Sequence, residues 1–187
     1  MAKKGLSSPV PQNHLASNGV YVLMEEITME SCRNCLTWIM NHNLAETRLP
    51  QLTLIINSPG GDVHAAFALI DTMKASTIPI KTVGLGLIAS CGFLLFIAGK
   101  KGSRILTPNT AILSHQYSWG SAGKEHELYA RVKEFELSTK RMIEHYKKCI
   151  GMNEKQIREI LLPPQDVWLD AKEAKRRSSV ADQGRTR

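Results

Sequence analysis

Apolar positions along the chain fall into two rhythms, short β-rich runs and longer stretches that repeat every three to four residues. The first run is Gly19 to Met24, where Val20, Tyr21, Val22 and Leu23 succeed one another as in a buried strand and Glu25-Glu26 ends it. Thr28 then stands as a helix cap before Cys32, Cys35, Leu36, Ile39 and Met40, whose spacing is that of one buried helix face. Leu52-Thr53-Leu54-Ile55-Ile56 reads as a second strand, closed by Asn57-Ser58-Pro59-Gly60-Gly61, and a helix through Ala65, Ala66, Leu69, Ile70 and Met73 follows. Pro79 to Leu85 supplies a third strand, and a helix from about Gly92 leaves the turn after it. Strand and helix alternate twice, which predicts an α/β domain with a parallel sheet of βαβ units.

Beyond Gly102 the pattern changes. Arg104-Ile105-Leu106 and Ala111 to His115 read as short strands around the turn Thr107-Pro108-Asn109. A long helix is expected over about 124–149, with Leu128, Val132, Phe135, Met142, Ile143 and Tyr146 striped between Lys and Glu residues. Such a length suits a helix that projects and packs against a partner subunit. Gly151 ends it, Asn153 to Leu161 forms a shorter helix, Pro163-Pro164 breaks the chain, and Asp166 to Ala174 is the last structured segment. Residues 1–18 show no periodicity and read as a mobile N-terminal arm, residues 19–182 as one domain, and residues 183–187 as a basic C-terminal tail.

Composition narrows the picture without redirecting it. A chain of 187 residues, 43% hydrophobic, holds one domain with a substantial core. Cys32 and Cys35 share an apolar helix face and no second Cys/His pair stands at ligand spacing, so core packing is favoured over a redox or zinc pair. Four cysteines in such patterns fit a reducing compartment. No apolar stretch follows the lysines near the N-terminus and no run is long enough to span a bilayer, so a cytoplasmic protein without leader or membrane anchor is expected. The formal charge of +7 is concentrated from Lys172 onward, and no aromatic residues interleave with clustered Arg or Lys, so nucleic acid is not expected as a partner.

Candidate chemistry centres on Ser90, a lone hydroxyl among small residues in a very apolar run, at the turn from strand into helix. A serine there lies beside free backbone N–H groups, the material of an oxyanion site. The glycines of Ser58-Pro59-Gly60-Gly61 form a second strand-to-helix turn, and neighbouring parallel strands would bring the two turns side by side. Neither a Walker motif, a GxGxxG fingerprint nor a GxSxG elbow is present. A serine nucleophile needs a base. Among the six histidines, His115 alone closes an apolar strand after the serine, with His64 a weaker competitor. Asp166 and Asp170 both qualify to orient it, and spacing does not choose between them.

Taken together, Asn57-Ser58-Pro59-Gly60-Gly61-Asp62, Ala89-Ser90-Cys91-Gly92, Ser114-His115-Gln116 and the segment Asp166 to Ala174 resemble, in order and separation, the Clp protease proteolytic subunits over roughly residues 19–182. The resemblance implies a serine endopeptidase of the crotonase-like fold, built of ββα units with a projecting handle helix. In it Ser90 corresponds to the nucleophile, His115 to the general base, Asp166 to the orienting acid, and the backbone N–H groups of Gly61 and Cys91 to the oxyanion hole. It further implies stacked seven-membered rings enclosing the active sites, unfolded polypeptide substrates, and an ATP-driven ring unfoldase as partner, with no metal and no cofactor in this chain. A catalytically silent ring subunit and a phage capsid maturation protease of the same fold are the alternatives. Ile88, Cys91 and Gln165 depart from the family pattern, which commonly has alanine, methionine and arginine there.

Overall fold

The computed structural model describes residues 11–118 and 120–177. Helix α1 (Pro11–Ser17) leads into strand β1 (Val20–Leu23), helix α2 (Met29–Leu44), β2 (Leu52–Ser58), α3 (Val63–Ala75), β3 (Ile80–Ala89) and α4 (Cys91–Ala98). Strands β4 (Arg104–Leu106) and β5 (Ala111–Ser114) follow, then α5 (Glu125–Ile150), α6 (Glu154–Ile160), β6 (Val167–Asp170) and α7 (Ala171–Arg177). The described strands form one sheet in the order β1-β2-β3-β5-β6, with β4 also paired to β3.

All the pairings are parallel except the last. β6 runs antiparallel to β5, so the purely parallel sheet expected from the sequence is corrected to a mixed one. The antiparallel strand was not legible because Val167-Trp168-Leu169-Asp170 is too short for a periodicity to emerge. β3 also runs further than expected, past Leu85 through Gly86 to Ala89. Its register with β2 slips between the pairs Ile56↔Gly84 and Ser58↔Ile88, and Gly86 takes a φ of 69° at the bulge. The bend lets β3 pair first with β4 and then with β5.

The residues Leu52, Leu54, Ile56 and Ser58 of β2 alternate inward, and Leu69, Ile70, Phe93, Leu94, Leu95 and Phe96 of α3 and α4 fill the core against the sheet. Thr28 caps α2 as expected, in a capping box with Ser31. The buried face of α2 is turned from the expected stripe: Cys32, Cys35, Trp38 and Ile39 are buried while Met40 is exposed. The cause is α1. Trp38 Nε1 donates to the Ala16 carbonyl at 2.9 Å and His42 Nε2 bonds the same oxygen at 2.8 Å, so α1 covers Trp38. Residues 11–17 are therefore a helix docked on α2 rather than part of an arm, while residues 1–10 and the tail 183–187 lie outside the described residues.

Helix α5 has two characters. Its C-terminal half buries Met142, Ile143, Tyr146, Cys149 and Ile150, whereas its N-terminal half leaves Leu128, Tyr129, Val132 and Leu137 exposed, Tyr129 by 69%. His145 is buried among them, to 2% exposure. Its Nε2 lies 2.9 Å from the Leu94 carbonyl, which can only accept, so Nε2 carries the proton. Nδ1 is then the acceptor for Lys74 Nζ at 3.3 Å. Burial lowers the His145 pKa to about 4, the Leu94 carbonyl working against it and Lys74, Arg104 and Lys148 with it. Cys149 Sγ stands 3.7 Å away and the Phe67 ring packs edge-on at 6.0 Å.

The neutral imidazole sets an acid limit on the fold. The unfolded chain binds a proton here near the ordinary histidine value of 6.5 and the folded chain only near 4, so the stability is present above about 6.5 and is lost as pH falls through 4. The full linkage is on the order of 3 kcal/mol. His145→Gln, which keeps a donor for Leu94 but cannot titrate, is expected to flatten the pH dependence of the denaturation midpoint between about 6.5 and 4, measured by urea unfolding across that range.

Candidate active site

The Ser58-Pro59-Gly60-Gly61 turn is held from both sides. Ser58 is buried at the inward parity of β2, and its hydroxyl accepts the Gly60 N–H at 3.2 Å. Ile27 donates to the Gly60 carbonyl at 2.8 Å and accepts from the Asp62 N–H at 2.7 Å, forming an isolated parallel bridge to Gly61. Because residues 60 and 62 spend their bonding groups on Ile27, the N–H and C=O of Gly61 face the opposite side. There the Cys91 thiol donates to the Gly61 carbonyl at 3.3 Å. Asp62 caps α3, its Oδ1 accepting from His64 and Ala65 N–H.

Both glycines are required by close approach. Gly60 has a φ of 98°, and a Cβ there would lie 2.7 Å from the Ser90 Cβ and 2.9 Å from the Ala89 carbonyl. A Cβ on Gly61, at φ 144°, would collide with the Ile27 carbonyl oxygen. The turn thus lies directly against Ser90, as expected from two adjacent strand-to-helix turns.

Ser90 is the one non-glycine residue with positive φ among the described residues, at φ 52° and ψ −119°. A side chain in this conformation costs on the order of 1–3 kcal/mol, and such strain clusters at functional sites. The bend is pinned by the Ser90 N–H, which donates to the Leu113 carbonyl of β5 at 2.8 Å, and by the Ser90 carbonyl, which accepts from Phe93 and Leu94 N–H in the first turn of α4. Cys91 and Gly92 therefore open the helix with N–H groups that have no intrahelical partner. Ser90 itself is half-buried. Burial pushes the Cys91 thiol up to about 11, so it remains a hydrogen-bond donor at neutral pH.

Sheet register brings the other two residues to the same end. β5 pairs with β3 up to Ala89↔Leu113 and with β6 up to Ser114↔Val167. One step further sets Ser90 beside Ser114 and places His115 opposite Asp166. Asp170 lies at the far end of β6, paired with Ala111, where its Oδ1 accepts the Glu173 N–H at 2.6 Å. The topology thus separates the two aspartates that spacing left equal. His115 is half-buried and Asp166 exposed, and among the described residues no hydrogen bond joins the side chains of Ser90, His115 and Asp166. Such bonds are commonly long in unliganded sites and tighten when substrate binds. His64, the competitor, is instead tied to α5, with Nε2 3.2 Å from Glu134 and Nδ1 3.2 Å from Arg141. Ser58 was missed as part of the site; the signal was its polar side chain at an inward position of a buried strand.

Comparison with known proteins identifies the family of the chain. The family model described as Clp protease matches residues 7–180. An ATP-dependent Clp protease proteolytic subunit 1 of Corynebacterium jeikeium is 35% identical over 151 residues, covering 81% of this chain and 77% of that protein. The subunit 1 of Chlamydia abortus is 33% identical over 153 residues, covering 81% and 78%. A proteolytic subunit 2 of Corynebacterium diphtheriae is 37% identical over 131 residues, covering 70% and 65%.

Close approach at Gly60 has a measurable consequence. Gly60→Ala is expected to lower stability by at least about 2 kcal/mol, because strained φ adds to overlap with Ser90. Gly120→Ala, with nothing within 4 Å, is expected to leave the thermal midpoint unchanged, and differential scanning fluorimetry of the two variants checks the contrast.

Proposed function

Because the chain belongs to the Clp protease family and is a serine peptidase of its proteolytic-subunit type, we propose that Ser90, His115 and Asp166 are its catalytic triad and that it cleaves unfolded polypeptides. The carrying observation is the strained Ser90, which opens α4 against the Gly60-Gly61 turn and lies one ladder step from His115 and Asp166. The relatives' names favour this reading over a silent ring subunit or a capsid maturation protease.

The proposed mechanism follows from the roles these groups can fill. Ser90 Oγ attacks the scissile carbonyl while His115 takes its proton, and Asp166 holds the imidazole in the tautomer that accepts it and stabilises the imidazolium. The oxyanion is received by the N–H of Gly61, turned away from Ile27, and by the N–H of Cys91 at the opening of α4. His115 then returns the proton to the departing amine, and a water activated by the same imidazole releases the acyl group from Ser90. Substrate binding and subunit assembly draw the three side chains into hydrogen-bonding distance.

The exposed apolar residues of α5, Leu128, Tyr129, Val132 and Leu137, suit a handle that packs against a second copy, which supports stacked heptameric rings around an inner chamber. An ATP-driven ring unfoldase is the proposed supplier of unfolded chains, the relatives being named ATP-dependent, and the cytoplasm is the proposed location. No described helix is long and apolar enough to cross a membrane.

Ser90→Ala is expected to abolish fluorophosphonate labelling and lower kcat for a fluorogenic peptide by at least about 10³-fold, with the assembled size in light scattering unchanged. Labelling that survives the substitution would remove Ser90 from the mechanism. A monomeric wild-type particle of full activity would remove the chamber.

A further inference from the structure

The residue before His115 carries a hydroxyl that the mechanism does not use. Ser114 is fully buried, 0% exposed, with Oγ 2.7 Å from the Leu161 carbonyl and 3.1 Å from the Tyr146 hydroxyl. A serine has one proton to donate, and a carbonyl only accepts, so that proton goes to Leu161. Tyr146 must then be the donor to Ser114. The direction of the chain is fixed: Tyr146 O–H to Ser114 Oγ, and Ser114 O–H to Leu161. Burial pushes the Tyr146 phenol above its ordinary range, which keeps it a donor at any working pH.

The two ends of this chain matter for the site. Leu161 closes α6 and begins the segment that runs through Pro163-Pro164 to Asp166, and the fixed φ of the two prolines stiffens that link. On the other flank of His115, Gln116 Nε2 donates to the Leu162 carbonyl at 3.0 Å. The residues on both sides of His115 therefore grip consecutive carbonyls at the root of the segment that carries Asp166. His115 and Asp166 lie beyond the last ladder pair, Ser114↔Val167, so these side-chain bonds take over where the sheet stops. Tyr146 is anchored in turn, its ring tilted on Phe93 of α4 at 5.9 Å, the helix that Ser90 opens.

We propose that Ser114, held by Tyr146, is a positioning residue that sets the His115 imidazole against the Asp166 carboxylate; this rests on the peptidase reading above. A residue that merely fills the core affects stability alone. One that positions the base lowers the chemical step at constant substrate affinity.

The test uses the full-length assembled protein, a fluorogenic peptide for kcat and KM, a fluorophosphonate for the labelling rate at Ser90, and a thermal midpoint. Ser114→Ala strands the Tyr146 hydroxyl and the Leu161 carbonyl; kcat is expected to fall 10- to 100-fold with KM within two-fold, and labelling to slow in parallel. Tyr146→Phe leaves the Ser114–Leu161 bond in place, so its kcat is expected to fall only two- to five-fold. Adding Tyr146→Phe to Ser114→Ala relieves one stranded hydroxyl, so the double variant is expected to melt no lower than Ser114→Ala alone. Wild-type kcat and labelling in Ser114→Ala despite a lowered midpoint, or a loss confined to KM, would overturn the proposal. Should Ser114→Ala not assemble, wild-type kcat in Tyr146→Phe overturns it. Absence of labelling on the wild-type serine would instead sink the peptidase reading, and the proposal with it, before any variant is made.

Discussion

The bond from the Ser90 N–H to the Leu113 carbonyl is the constraint on which the site depends. It extends the β3–β5 ladder by one residue past the strand and, in doing so, holds Ser90 in a left-handed backbone that its side chain disfavours. The strain is tolerated because the surroundings leave no alternative. Gly60 fits beneath the bend with no room for a Cβ, Gly92 packs on Ser58, and α4 starts at once with apolar residues that have nowhere to go but the core. Relaxing Ser90 would require moving a helix and two strands together.

The same ladder explains why the residues proposed as nucleophile, base and acid, far apart in the chain, end at one edge. Parallel strands β3 and β5 finish together, and the antiparallel β6 begins where β5 finishes. Each residue only has to follow or precede its strand by one position. The Gly60-Gly61 turn arrives at the same edge because β2 lies on the other side of β3 and the Ile27 bridge fixes its orientation. The glycine pair is thus a spacer that brings two backbone edges close, and the Cys91 thiol on the Gly61 carbonyl ties one edge to the other.

Helix α5 links this edge to the surface. Its buried half carries His145, bonded to the Leu94 carbonyl of α4, and Tyr146, bonded to Ser114 of β5, so consecutive residues of one helix hold the two elements that flank the site. Arg104, buried in β4, donates to the Gly99 and Cys149 carbonyls and fastens the end of the same helix to the end of α4. The N-terminal half of α5 is held by His64 on Glu134 and by the Tyr117 ring stacked on Phe135, while Leu128, Tyr129, Val132 and Leu137 stay exposed and are the reason a second copy enters the proposed function.

How much of this was legible in the sequence depended on the range of the interaction involved. Local patterns carried far: the Thr28 cap, the Gly151 end of α5, the two glycine turns and the alternation of strand and helix all depend on residues within a turn or two of one another. Ser90, His115, Asp166 and the Gly61–Cys91 pair were readable as candidates from residue type, position and resemblance to a family. The choice of Asp166 over Asp170 by geometry was not, since it rests on an antiparallel register between segments separated by the whole of α5 and α6. The docking of α1 on Trp38, the burial of His145 and the turned face of α2 were equally hidden, because each is decided by which distant surface arrives to cover a side chain. Sequence alone determined most of the elements, though not α1 or β6, and which residues could do chemistry; tertiary structure decided which of them meet, because pairing and burial depend on the partner as much as on the residue.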